Sequence, residues 1–441
     1  MRLLAAIFAL LVSVSGSAQA LPATTAAGNP TIVVGVIATL SGPGAMVGQD
    51  SVDGFTTALK QMGGRFANQE VRLVAVDDRG SPDMAVQVTR RLLEREKVDF
   101  VLTAVSQSSM AAIIKQLLDA KIFILNLDAA PPSLLGGDCH PALFELGTPP
   151  EAINEAAGLY FATEKVRRLV VVGPDSPATQ TAVAGLRRFW NEDLVEILRP
   201  RHGAIAFKEE IARIRELAPD AVYSVMTGGM GVAFVRDYAT SGLKSEIPLL
   251  GAWTVFERSL LPGMGEIGLD ILNVGPWSPD LETPHNKRMM TDFELEYGRP
   301  VTSWVAQGYD AALLLESAMK ATSGRTSDRE AVRNGLRRAE FASVRGGFRF
   351  DTNHGPSVPV YLRRVAKDAK GRLSLESRGV LIKDWHGAAV PQCPMRWTDE
   401  TVAAKPGTPG AAGATSPKPP KPPQAPAPAQ PPKKPPVAGG H

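Results

Sequence analysis

The residues able to do acid–base, nucleophilic or metal chemistry in this chain are dispersed rather than grouped. There is no Gly-x-Ser-x-Gly elbow, no His-Glu-x-x-His, no paired cysteine ligands and no Walker loop. The six histidines are scattered, with no spacing that sets two ligands on one helix face. Each reads as structural or solvated, and no cofactor or metal is expected. His354 falls in Asp351-Thr352-Asn353-His354-Gly355, a tight connection rather than a site. Asp78 or Asp128 could serve as a base, but neither has a partnering nucleophile or metal cluster, so catalysis has no mechanism here. The chain is therefore expected not to be an enzyme.

What remains is binding chemistry. Gly42-Pro43-Gly44, followed by Gly48, comes after an apolar strand and opens a helix that carries Val47. Its last glycine is one residue late for a dinucleotide fingerprint. Such a turn still lets backbone N–H groups at a helix N-terminus meet a polar or anionic group. Asp128 ends another apolar strand, where a carboxylate is costly unless paired. It reads as the receptor for a cationic or hydroxyl-bearing ligand group, or else as a salt bridge or helix cap. Ser106, Gln107 and Ser108 begin a helix, so capping accounts for at least one serine without any ligand. Trp253 follows Gly251-Ala252 at a strand end, and Trp304 lies in a later helix. Both bring large apolar area, whether to a core or to a pocket. Cys139 and Cys393, the only two cysteines, read first as one disulfide in an oxidising compartment. Closing so long a loop is worth roughly 4–5 kcal/mol in the chain-entropy model. His140, beside Cys139, keeps metal binding as the competing reading.

The elements that must position these residues alternate. Apolar strands are predicted at Ile32–Ala38, Val71–Val76, Phe100–Val105 and Ile122–Leu127. Helices are predicted at Ala45–Met62, from Pro82 onward, where proline is tolerated at a first turn, and at Ser108–Ala120. The pattern restarts with strands at Leu169–Val172, Leu194–Leu198 and Ala221–Met226. Its helices are predicted at Thr179–Trp190, Ala206–Leu217 and Gly229–Ser241. A long helix over Thr302–Ala321 and a terminal strand pair near Phe348 and Val360 follow. Near-continuous apolar strands alternating with helices imply an α/β fold with parallel sheets covered on both faces. Two such doubly wound, Rossmann-like lobes, the second smaller, leave a crevice between them at the strand carboxyl ends.

The ends of the chain read differently. Arg2, the apolar run Leu3–Val14 and Ala18-Gln19-Ala20 form an export signal over residues 1–20, cleaved after Ala20. The run is short of the roughly 20 apolar residues a spanning helix needs, and no cysteine follows the cleavage site to accept a lipid. The chain is expected to be periplasmic, not membrane-spanning and monomeric. From about Ala403 to the end at residue 441 the composition turns to Pro, Ala, Lys and Gly, which cannot offset its ordering entropy by burial. This tail reads as disordered, either without a partner or touching anionic envelope polymers through Lys418, Lys421, Lys433 and Lys434. The net charge of +3 is small and excludes the strongly basic surface of a nucleic-acid binder.

Ala38-Thr39-Leu40-Ser41-Gly42-Pro43 with Gly48 resembles the opening of the leucine/isoleucine/valine-binding branch of type I periplasmic binding proteins. Asp77-Asp78-Arg79-Gly80-Ser81-Pro82, with Ala85-Val86 and Leu92-Leu93, is similar to that family's second strand and helix. Gly308-Tyr309-Asp310-Ala311 and Phe348–Gly355 resemble two further landmarks, and the likeness runs from Thr31 to Met395. The resemblance implies a clamshell of two lobes joined by a hinge with three crossovers. Residues 31–147 and 278–346 would form lobe 1, and 148–277 and 347–395 lobe 2. It implies a substrate-binding component of an ABC importer, partnered by an inner-membrane permease. The alternative is a ligand-sensing receptor subunit. By family pattern the ligand would meet Val47, Ser106, Gln107, Ser108, Asp128, Ala129, Ala130, Thr179, Thr227, Trp253, Thr254 and Trp304. This sequence departs where relatives carry a second-lobe tyrosine and an aromatic, now Ser176–Gln180 and Thr227. Trp253 stands where relatives place the carboxylate that takes a ligand ammonium. The ligand is thus a branched-chain amino acid-like solute, or an aromatic acid or amide.

Overall fold

The computed structural model describes residues 31–396. The predicted export signal and the predicted tail lie outside the described residues. The chain opens with β1 (Ile32–Ala38), whose Ile32, Val34, Val36 and Ala38 enter one apolar cluster and whose Ile37 enters another. A strand covered on both faces needs this double apolar face. After it come α1 (Ala45–Gln61), the short β2 (Arg65–Phe66), β3 (Gln69–Asp77) and α2 (Pro82–Glu96). Ser81 caps α2, its hydroxyl accepting from the Met84 N–H, and Pro82 takes the first helical position. Next are β4 (Phe100–Ala104), α3 (Gln107–Asp119), β5 (Phe123–Asn126) and β6 (Leu143–Glu145).

In space the first sheet runs β2-β3-β1-β4-β5-β6. All its pairings are parallel except the antiparallel β2 edge. The winding reverses between β1 and β4, and ligands of such sheets bind outside the strand carboxyl ends at that reversal. The Gly-rich turn and Ser106 lie there.

The second sheet repeats the plan. Helix α4 (Pro150–Thr163) leads to β7 (Arg168–Val172), α5 (Pro177–Leu186), β8 (Asp193–Leu198) and α6 (Lys208–Leu217). Then follow β9 (Ala221–Ser224), α7 (Gly228–Thr240), α8 (Leu243–Glu246), β10 (Leu249–Ala252), α9 (Leu261–Met264) and β11 (Leu272–Gly275). Strands β11-β10-β9-β7-β8 are parallel, with the reversal between β7 and β9. Thr179 and Thr227 follow those two strands. The chain then crosses back through α10 (Pro284–Tyr297), α11 (Ser303–Ala321) and α12 (Arg329–Arg338), whose apolar residues join the first lobe's core.

The terminal strands correct the sequence reading. Phe348 and Val360 do not flank one ladder. Strand β12 (Arg349–Phe350) pairs with β13 (Pro356–Ser357) across the His354 turn. The long antiparallel pair is β14 (Val360–Lys367) and β15 (Leu373–Ile382), which extends the second sheet beyond β11. That sheet has seven strands against six, so it is not the smaller one. Phe348, Phe350 and Val358 pack into the first lobe's core, although residues 347–395 are expected with the second. Cys139 and Cys393 form a disulfide with Cα atoms 5.7 Å apart, which leaves no thiolates for the competing metal reading. Among the described residues, no helix is long and apolar enough to cross a membrane.

Candidate functional site

Two adjacent carboxylates at the end of β3 build the turn on the first lobe's side. Asp77 accepts from the Leu40 N–H at 2.8 Å, the Arg79 N–H at 2.9 Å and the Ser41 hydroxyl at 2.6 Å. Burial alone would raise this carboxyl, but those bonds hold it below its ordinary value. Asp78 accepts from the Thr39 hydroxyl at 2.7 Å and the Gly80 N–H at 2.9 Å. Both acids thus hold the Gly-rich turn in place, which removes Asp78 as a candidate base. Gly48 is needed because a Cβ there would sit 2.1 Å from the Thr39 carbonyl oxygen.

Beside this turn, Ser106 caps α3, accepting from the Ser109 N–H at 3.2 Å and lying 2.9 Å from the Ser108 hydroxyl. Ser106, Gln107 and Ser108 are exposed, and Gln107 donates to the Ala130 carbonyl at 3.2 Å. That bond joins the loops after β4 and β5 into one wall. Asp128, half-buried, accepts from the Ala129 N–H at 2.8 Å. It makes no ion pair with any described residue, so the salt-bridge reading does not hold. Burial pushes its carboxyl up to about 6. Behind it Glu145, fully buried, accepts from the Asn126 amide at 2.8 Å. Burial first, and the Asp128 charge besides, push Glu145 well above the carboxylate range. Ala130 also lines an apolar pocket of about 220 Å³ with Pro149, Glu151, Trp385 and Val390.

The second lobe supplies hydroxyls and a tryptophan. Thr227 is exposed and precedes α7 with no side-chain capping bond. Thr179 differs from expectation: it is 3% exposed and its hydroxyl donates to the Pro174 carbonyl at 2.7 Å, so it stabilises its own turn. Trp253 begins a short 3-10 turn after β10, with Thr254 half-buried beside it. Trp253 and Trp304 come from opposite lobes, yet their ring centroids are 4.8 Å apart at 50°. Both are buried in a cluster against which Met46 and Val47 of α1 pack. Met46 and Gln307 were not among the residues singled out from the sequence. The Gln307 amide donates to the Leu127 carbonyl at 3.0 Å and accepts from the Thr148 hydroxyl at 3.1 Å. It lies one turn after Trp304, and that i, i+3 spacing was the available signal.

A cavity of about 1120 Å³ lies elsewhere. It runs between α10 and the β14–β15 hairpin, lined by charged residues such as Glu294, Arg364, Arg372 and Glu376, away from the strand carboxyl ends. Among the described residues, no group of three or more His, Cys, Asp or Glu is placed to hold a metal. His354, fully buried, stacks on Phe144 at 4.1 Å. Burial first, then the Arg337 charge, lower its basicity to about 3, a structural neutral imidazole.

A family model described as "Periplasmic binding protein" matches residues 31–371. The chain is 24% identical over 359 residues to the "Leu/Ile/Val-binding protein homolog 6" of Brucella melitensis, covering 79% of this chain and 91% of that protein. It is similar in structure to a solute-binding protein of an ABC transporter from R. palustris, solved in complex with benzoate. There the TM-score is 0.72 at 25% identity, over 82% of this chain and 99% of the other. A substrate-binding protein of an ABC transporter from Sphaerobacter thermophilus gives a TM-score of 0.75 at 26% identity, over 80% and 98%.

Proposed function

This chain belongs to the periplasmic binding protein family, and on that premise we propose that it binds a small organic solute between its lobes and delivers it to an inner-membrane ABC permease. The observation that carries the reading is the contact of Trp253, which follows β10 of the second sheet, with Trp304 of α11, against which Met46 and Val47 of α1 pack. The exposed hydroxyls of Ser106, Ser108 and Thr227 stand in the β–α turns at the winding reversals of the two sheets, and ligands of such sheets bind at those turns. Binding would bias the angle between lobes, and the biased form would be the one a permease recognises. No step in this role needs catalysis, and the protein is proposed to bind without turnover. The export and periplasmic location that such a role requires belong to the same proposal.

The aromatic pair and the lone Asp128 favour an aromatic acid, amide or amine over a branched-chain amino acid. Trp253 offers no acceptor for an α-ammonium, whereas the paired indoles offer a flat ring an apolar aromatic partner. A thermal-shift screen of purified protein against amino acids, aromatic acids, amides and amines tests this. A ligand at a hundredfold excess over its Kd stabilises the folded state by about 2.7 kcal/mol, a readily visible shift. Stabilisation by leucine and none by any aromatic solute would reverse the ligand assignment. Turnover of a bound solute would end the binding-only account.

A further inference from the structure

A short stretch after β10 brings the second lobe against α10 and α11, and the carboxylate in its middle, Glu257, is fully buried. One Glu257 oxygen accepts from the Ser303 N–H at 2.9 Å and the other from the Ser303 hydroxyl at 2.6 Å. Ser303 is the first residue of α11, immediately before Trp304. A first-turn N–H has no partner within its own helix, and a carboxylate at that end also meets the favourable pole of the helix dipole. A residue of one lobe thus completes a helix of the other.

The neighbouring contacts make this junction rigid. Arg258 donates to Glu294 of α10 at 2.7 Å, and the Ser259 hydroxyl lies 3.3 Å from the Met46 sulfur. On the first-lobe side, the Thr302 hydroxyl donates to Asp50 at 2.5 Å, and Arg299 pairs with both Asp50 and Asp53. Glu257 is fully buried, so it meets no solute, and the family likeness assigned it no role.

We infer that Glu257 is a positioning residue: from the second lobe it fixes the start of α11, so that one contact sets both the placement of Trp304 and the angle between the lobes. Rotation of one lobe against the other must lengthen both Ser303 bonds, which makes the contact a stop on lobe opening. The part concerning Trp304 as a solute contact rests on the proposed function. The part concerning the lobe angle does not.

The test is an interlobe distance distribution from paired spin labels on cysteines introduced at Lys115 of α3 and Glu209 of α6. Both positions are exposed. The native cysteines are bonded to each other and take no label. In Glu257→Gln and in Ser303→Ala the distribution is expected to gain a longer-distance population absent from the unsubstituted protein. Tryptophan emission is expected to shift to the red as Trp304 loosens. Ser303→Ala removes only one donor and decides the matter if the Glu257 variant fails to fold. A folded variant of either kind matching the unsubstituted protein in both readouts overturns the inference. Failure of every solute to bind would overturn the proposed function while leaving these distances unchanged, so the two fail separately.

Discussion

Asp128 is the residue whose charge state says most about the ligand. Its carboxyl sits near 6 when folded, above the ordinary 3.8, because burial disfavours the anion. A raised carboxyl makes the folded state hold the extra proton, so stability rises as pH falls from above 6 toward 4. At pH 8 the buried anion costs stability, and Asp128→Asn is expected to be more stable than the unsubstituted protein by about 1–3 kcal/mol, at about 1.4 kcal/mol per unit less solvent screening. The difference should vanish near pH 3.5, as read by urea unfolding at both pH values. Ligand class follows the same titration. An aromatic carboxylate should bind more tightly at pH 5.5 than at pH 8, because protonated Asp128 can donate to it, whereas an amine should show the reverse. Asp128 was legible in the sequence as a carboxylate closing an apolar strand. Thr179 was misjudged because a threonine two residues inside a helix start serves its own turn as readily as a ligand, and only the Pro174 contact separates the two uses.

At the scale of elements, the two helices beneath the crevice are locked by reciprocal glycines. A Cβ on Gly308 of α11 would lie 2.0 Å from the Ser51 carbonyl oxygen, and one on Gly54 of α1 would lie 2.1 Å from that of Val305. Gly308→Ala must therefore push α1 and α11 apart. A loss of about 1–3 kcal/mol in urea unfolding is expected, as for other overpacked sites. The disturbance should also weaken solute binding, since Trp304 lies one turn away. Strand β11 and helices α10 and α12 were not foreseen, whereas β1, β3, β4, β5, β7, β8 and β9 with α1, α2, α3, α5, α6, α7 and α11 were legible because apolar runs of strand length alternate with amphipathic stretches and proline or serine marks several helix starts. Strand β6 was not, since three residues carry no period. Helix α4 was missed because it is apolar nearly all round, with Ala152, Ile153, Ala156 and Ala157 all buried, which erases the amphipathic signal. The β12–β13 hairpin was misassigned because two-residue strands depend on the buried His354 turn rather than on pattern.

The described residues build two large sheets of like winding, the small β12–β13 pair and one disulfide. The bond from Cys139 to Cys393 spans 254 residues of sequence and returns the end of the described chain to the first lobe. Reduction should lower unfolding stability by about 5.5 kcal/mol in the chain-entropy model for a loop of this length, measured as a shifted urea midpoint with and without dithiothreitol. An unchanged midpoint would mean that the unfolded chain is already compact. The twofold plan was readable from the restart of the strand–helix pattern near Leu169. The contact of Trp253 with Trp304 was not, because nothing in sequence spacing tells which residues of two lobes meet.

The central claim, that a solute is held between the lobes by that pair, is tested most directly by titration calorimetry of the best thermal-shift ligand against the unsubstituted protein, Trp253→Ala and Trp304→Ala. The account predicts one site per chain and at least tenfold weaker binding in each variant, with both folded. Undiminished affinity in both folded variants would place the ligand elsewhere and contradict it.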